Sequence, residues 1–191
     1  MDGLNYLKSE IVIVGLGYVG LPLALRLASI FNVIGFDISV ERINKLKAGD
    51  DETKEVQKSE LQNTKKLKLT SKINHIKNKK IYIVAVPTPV DKKNRPDLSY
   101  LENACRIVGN CIDIGAIVIF ESTVYPGVTE ELCGPIIEKE SGLQFNKDFY
   151  LGYSPERVNP GDKEHTVEKI TKIVSASNPK ILKIIGEIYR T

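Results

Sequence analysis

The chain has 191 residues, 42% of them hydrophobic and 27% charged, which is enough to bury a sizeable core with an ordinary globular balance. A net charge of +3 is too small to mark a nucleic-acid partner, and the lysines crowded between Lys54 and Lys80 alternate with glutamates and lack interleaved aromatics, so they read as a solvated surface. The apolar run from Ile11 is broken by Gly15, Gly17, Gly20, Pro22 and Arg26 before it could span a membrane, no signal peptide opens the chain, and three cysteines without paired or metal-ligand spacing fit a reducing compartment, so the expectation is a cytoplasmic protein with no metal site.

Strand candidates alternate with amphipathic helix candidates along the chain. Ile11–Val14 precedes a helix over Tyr18–Ser29; Val33–Phe36 precedes a helix over Val40–Lys47. Residues 48–66 carry no clear pattern. Then follow Leu67–Thr70, Ile81–Val86, a helix over Leu98–Cys111, Ala116–Phe120, a helix over Gly127–Lys139 and Phe149–Tyr153. The alternation predicts an α/β fold with a doubly wound parallel sheet, a Rossmann-type domain over residues 1–177. Asn178, with Pro179 behind it, opens a last helix, and residues 178–191 are expected to lead into a central or C-terminal region that this chain lacks.

Gly15, Gly17 and Gly20 form G-x-G-x-x-G between the first strand and the first helix, the setting in which an otherwise weak signal becomes informative. The first glycine permits the tight turn, the second lets backbone approach a pyrophosphate, and the third allows close helix-to-strand packing. The helix N-terminus adds unpaired N–H groups and positive dipole for the anion. Asp37 ends the next strand twenty residues after Gly17, where a carboxylate can accept hydrogen bonds from both ribose hydroxyls and repel a 2′-phosphate, favouring NAD over NADP. The competing reading is a packing turn followed by a helix-capping aspartate. Arg42 faces either the adenosine or solvent, and Pro22 sits near the helix start, where a missing N–H costs little.

Three further stretches follow strand candidates: "AVPTPVD" from Ala85, "FESTVYPGVTEEL" from Phe120 and "YSPERVNPGD" from Tyr153. Loops at the carboxyl ends of parallel strands form the ligand crevice of such folds, so the three are expected to converge beside the glycine turn. Together with "GLGYVGLPLA" they resemble the NAD-binding N-terminal domain of the nucleotide-sugar 6-dehydrogenases, the UDP-glucose/GDP-mannose dehydrogenase family, over nearly the whole chain. "PERVNPGD" is most similar to the branch acting on UDP-N-acetylhexosamines, because UDP-glucose enzymes usually carry a second glutamate where this chain has Pro160.

The resemblance implies oxidation of the C6 alcohol of a UDP-sugar to the uronate by two NAD in a homodimeric full-length protein. It implies NAD contacts from the glycine turn with Tyr18 and Val19, from Asp37 and Arg42, and from Pro87, Thr88 and Thr123; Arg157, Val158 and Asn159 would line the sugar nucleotide. Thr123 matches the threonine that helps place a catalytic water, and Glu156 the glutamate assigned to base-assisted hydrolysis of a cysteine thioester. Read from spacing alone, Thr123 is equally a helix cap and Glu156 a surface carboxylate, while Glu121 reads as structural. None of Cys105, Cys111 and Cys133 has the glycine-rich neighbourhood of the family nucleophile, so the chain is expected to be inactive alone. The alternatives are a UDP-glucose or GDP-mannose 6-dehydrogenase and a free-standing NAD-binding module.

Overall fold

The computed structural model describes residues 6–156 and 172–190. Seven strands form one sheet: β1 (Ile11–Val14), β2 (Val33–Phe36), β3 (Leu67–Thr70), β4 (Ile81–Val84), β5 (Ala116–Phe120), β6 (Phe149–Tyr153) and β7 (Ser175–Ala176). Their spatial order is β3-β2-β1-β4-β5-β6-β7, and all neighbours are parallel except the β6–β7 pair. The expected doubly wound parallel sheet is what forms, with the strand order reversing between β1 and β4, where such folds open their ligand crevice.

The strands are continuous runs of Val and Ile because both faces are covered. Successive side chains point to opposite faces, so Ile11, Ile13, Ile81, Ile83, Ile117 and Ile119 enter one core, and Val12, Val14, Tyr82, Val84, Val118 and Phe120 the other. Helices α1 (Gly20–Ala28) and α2 (Val40–Ala48) lie over the first core. Helices α4 (Ser99–Gly109) and α5 (Gly134–Ser141) lie over the second. The unpatterned stretch holds a short helix, α3 (Lys58–Asn63), started by a capping box between Gln57 and Glu60.

Three elements differ from the pattern. The two-residue β7 is not among the strand candidates, being too short to show an apolar run, and it adds to the β6 edge antiparallel. β4 ends at Val84 rather than Val86, for Pro87 and Pro89 lack the N–H groups that would extend the ladder, and Ala85 to Thr88 are thereby released into the crevice. The helix expected over Gly127–Lys139 divides into a π-helical turn at Val128–Cys133 followed by α5, and Pro135 supplies the reason: it cannot donate the bond to residue 131 that an uninterrupted α-helix requires.

The last helix, α6 (Pro179–Tyr189), starts as expected, with the Asn178 side chain accepting from the Ile181 N–H at 3.0 Å. Its buried residues Ile181, Ile184, Ile185 and Ile188 recur at helical spacing and join the core of α1. Gly152 on β6 makes room for them, since a Cβ there would overlap Ile185. Among the described residues no helix is long and apolar enough to cross a membrane.

Candidate functional site

The three glycines of the first turn do different work. Gly15 has φ +93°, and a Cβ there would stand 2.9 Å from the Ala85 carbonyl oxygen; a Cβ on Gly20 would overlap the Gly15 carbonyl. Both are therefore required by the protein's own backbone. Around Gly17 nothing lies within 4 Å of such a Cβ, so packing does not explain this glycine. Val19 occupies the N-cap of α1, no side chain caps it, and no acidic residue sits in the first turn, which leaves the positive end of the helix to an anion.

Asp37 follows β2 and braces the turn. Its Oδ2 accepts from the Leu16 N–H at 3.0 Å and its Oδ1 from the Ser39 N–H at 2.9 Å. The cap of α2 is Ser39, which accepts from the Arg42 N–H, so the capping role weighed for Asp37 belongs to its neighbour. Arg42 turns inward at 9% exposure. Its Nε and Nη2 donate to the Leu16 carbonyl at 2.9 and 2.8 Å, and Nη2 also meets Asp51 at 2.7 Å. The Asp51 carboxylate, fully buried, further accepts from Thr53, Glu55 and Val56. Burial alone would raise its pKa, but the bonds from Thr53 and Arg42 outweigh it and hold the carboxyl below the usual range. Arg42 Nη1 is buried with no hydrogen-bond partner among the described residues.

Two clefts meet at this turn. One, of about 360 Å³, is lined by Asp37, Ser39, Arg42, Tyr100, Asn103 and Ile107. The other, of about 90 Å³, is lined by Tyr18, Val19, Thr88, Thr123, Glu121 and Glu156. Gly17, Ala85, Val86 and Pro87 border both. The stretches after β4 and β5 are stitched together here: the Thr88 hydroxyl donates to the Thr123 carbonyl at 2.7 Å and the Ser122 hydroxyl to the Val86 carbonyl at 2.7 Å. Thr123 is exposed and does not cap the following helix, whose N-cap is Gly127.

Glu156, after β6, faces the second cleft with its side chain 8% exposed, 3.5 Å from Lys172 Nζ. Lys172 in turn lies 2.5 Å from Glu121, which is fully buried and also accepts from the Tyr189 hydroxyl at 2.5 Å. Burial pushes the Glu121 carboxyl above the ordinary carboxylate range against the pull of Lys172. Burial and the neighbouring Glu121 carboxylate push the Tyr189 hydroxyl well above its own ordinary value.

Of the residues expected at the site, Gly15, Gly17, Tyr18, Val19, Gly20, Asp37, Arg42, Pro87, Thr88, Thr123 and Glu156 gather around these two clefts. Arg157, Val158 and Asn159 lie outside the described residues. Cys105, Cys111 and Cys133 are buried in the core of α4 and α5, and the hydrogen bond that engages the Cys105 S–H with Cys133, together with burial, raises the Cys105 thiol far above its usual range, the opposite of what a nucleophile needs. Sequence reasoning missed Asp51, Lys172 and Tyr189. No local pattern marks them, since each meets its partner only through the fold.

The arrangement fits a dinucleotide. The larger cleft offers apolar walls and a carboxylate for an adenosine, the capless α1 terminus and open Gly17 suit a pyrophosphate, and Arg42 is among the residues that line the same cleft. A profile of the UDP-glucose/GDP-mannose dehydrogenase family, NAD binding domain, matches residues 9–191. The chain is 49% identical over 181 residues to UDP-N-acetyl-D-glucosamine 6-dehydrogenase of Pseudomonas aeruginosa, covering 95% of this chain and 43% of that protein. It is 48% identical over 190 residues to the protein of the same name from Salmonella typhi, covering 100% of this chain and 44% of that one. The solved structure of UDP-D-ManNAc dehydrogenase from Pyrococcus horikoshii matches with a TM-score of 0.85 at 36% identity, over 95% of this chain and 44% of that one. The chain thus spans less than half the length of these relatives.

Proposed function

The chain belongs to the UDP-glucose/GDP-mannose dehydrogenase family, whose NAD-binding domain it forms, and we propose that it serves a cytoplasmic, homodimeric enzyme that oxidises the C6 alcohol of a UDP-N-acetylhexosamine to the uronate. The observation that carries this reading is Gly17, standing open where the two clefts meet. Asp37 would hold the adenosine end of the dinucleotide, Gly17 and the α1 N-terminus its pyrophosphate, and the cleft of Thr123 and Glu156 its nicotinamide end. When bound there, NAD accepts the hydride.

The protein's own residues would divide the remaining work. Asp37 accepts from the ribose hydroxyls, and Arg42 holds the Leu16 carbonyl so that the turn keeps its shape. Thr123, exposed beside Glu156, is suited to orient a water, and Glu156 to take its proton. Arg157, Val158 and Asn159 would meet the sugar nucleotide. The nucleophilic cysteine is expected outside this chain, because Cys105, Cys111 and Cys133 are all buried away from the cleft. Residues 178–191 would lead from residues 1–177 toward the part that carries it.

The test uses the full-length enzyme. Glu156→Gln keeps shape and hydrogen bonding but removes the proton acceptor, so with UDP-N-acetylglucosamine and NAD the acyl-cysteine adduct should form and persist, visible by mass spectrometry. Near-normal turnover, or no adduct despite retained binding of both ligands, would overturn the role of Glu156. The 191-residue chain alone should bind NADH yet form none from the sugar nucleotide.

A further inference from the structure

Glu121, Lys172 and Glu156 form a charge cluster beside the catalytic cleft, and their side chains are 0%, 10% and 8% exposed. Two carboxylates share one ammonium, and they share it unequally. Lys172 Nζ is 2.5 Å from Glu121 Oε2 and 3.5 Å from Glu156 Oε2. The Tyr189 hydroxyl donates to the other oxygen of Glu121, so both ends of that carboxylate are fixed. Among the described residues, Lys172, Tyr189 and Glu156 are the ionisable groups that bear most strongly on Glu121.

Resting on the reading of Glu156 as the hydrolytic base, we propose that Lys172 is a positioning residue that steers the Glu156 carboxylate, and that Glu121 sets how much of the lysine's charge Glu156 feels. In the hydrolytic step the oxygen of water bonds to the acyl carbon, its proton passes to Glu156, the carbon–sulfur bond breaks and the thiolate leaves; no electron is gained or lost. A base in this step has to be ionised and aimed, yet still able to take the proton. At 3.5 Å the ammonium lies beyond a normal hydrogen bond to Glu156, so it orients by charge, while its short contact goes to Glu121. Glu121 therefore acts as a counterweight. With its charge removed, Lys172 pairs more fully with Glu156 and weakens it as a base. With Lys172 removed, two buried carboxylates repel each other and Glu156 holds a proton at higher pH.

The two changes pull in opposite directions, which a cluster that merely ties α6 to β5 would not do. In the full-length enzyme, with UDP-N-acetylglucosamine and NAD, the acidic limb of the pH profile for adduct hydrolysis should move down by about one pH unit in Glu121→Gln and up by about one in Lys172→Met. Lys172→Arg should return it toward the wild-type position. Glu121→Gln is isosteric and can still accept from Tyr189, so it decides the matter even if Lys172→Met fails to fold. An unmoved limb in Glu121→Gln, or shifts of the same sign in both variants, would overturn the proposal. Glu156→Gln separates the two ideas: normal turnover in that variant removes the base itself, whereas a trapped adduct beside an unmoved Glu121→Gln profile removes only the steering.

Discussion

Gly17→Ala separates binding from folding at one atom. The position has no positive φ, and a Cβ there meets nothing within 4 Å, so the folded chain can accept alanine without strain. Reduced freedom of the unfolded chain should then raise stability by about 0.4–1 kcal/mol, a small upward shift of the melting temperature. NADH should respond in the opposite sense. A methyl group at the junction of the two clefts holds the pyrophosphate away from the backbone amides of the turn, and loss of one hydrogen bond to a charged group costs about 1.5–3 kcal/mol, or roughly 10- to 150-fold in affinity. Fluorescence titration with NADH, alongside thermal melts of the same preparations, reads both quantities. Gly20→Ala is the contrast, because its Cβ would overlap the Gly15 carbonyl oxygen. Overpacking against backbone should lower stability by about 1–3 kcal/mol even with no ligand present. Wild-type affinity in Gly17→Ala would mean that the pyrophosphate passes elsewhere, and a Gly17→Ala chain that unfolds like Gly20→Ala would make Gly17 a packing glycine.

Asp37→Ala should erode the preference for NADH over NADPH, measured as a ratio of affinities because loss of the braces to Leu16 and Ser39 weakens both ligands; an unchanged ratio would refute the assignment. Arg42→Met leaves Asp51 as a buried carboxylate without its cation and should cost about 3–5 kcal/mol in denaturant unfolding, with NADH affinity falling as the Leu16 carbonyl is released; a loss under about 1 kcal/mol would mean that Thr53 and the loop amides suffice. The Asp51 carboxyl is depressed from 3.8 by the fold, so its contribution to stability is present above that value and is lost as pH falls through the lower folded pKa. Asp51→Asn should flatten that acid limb of the stability profile. Gly152→Ala should lower stability because its Cβ would overlap the end of the buried Ile185 side chain and force it to repack, which thermal melts would register.

How much of this could be read from sequence follows from the distance over which each signal acts. The strands at Ile11, Val33, Ala116 and Phe149 were legible because a buried parallel strand needs only four or five consecutive apolar residues, and the glycine turn because its spacing is set by one turn of backbone. Boundaries slipped where a proline spoke against an apolar run, at Pro87, which borders both clefts, and at Pro135 in the first turn of α5. The residues that brace the site were not legible. Asp51 reaches Arg42 from a loop with no pattern, and Glu121 meets Lys172 and Tyr189 across 51 and 68 residues of chain. Next to Thr123, Glu121 reads as structural; only when β5 and α6 come together does it become a buried group sharing a cation with Glu156. Backbone chemistry such as a tight turn is written in adjacent residues, whereas the charge environment of a catalytic group is a property of topology. Changes of charge at Glu121 and Lys172 should therefore register in the pH behaviour of the site although neither residue lies in the glycine turn that identifies it.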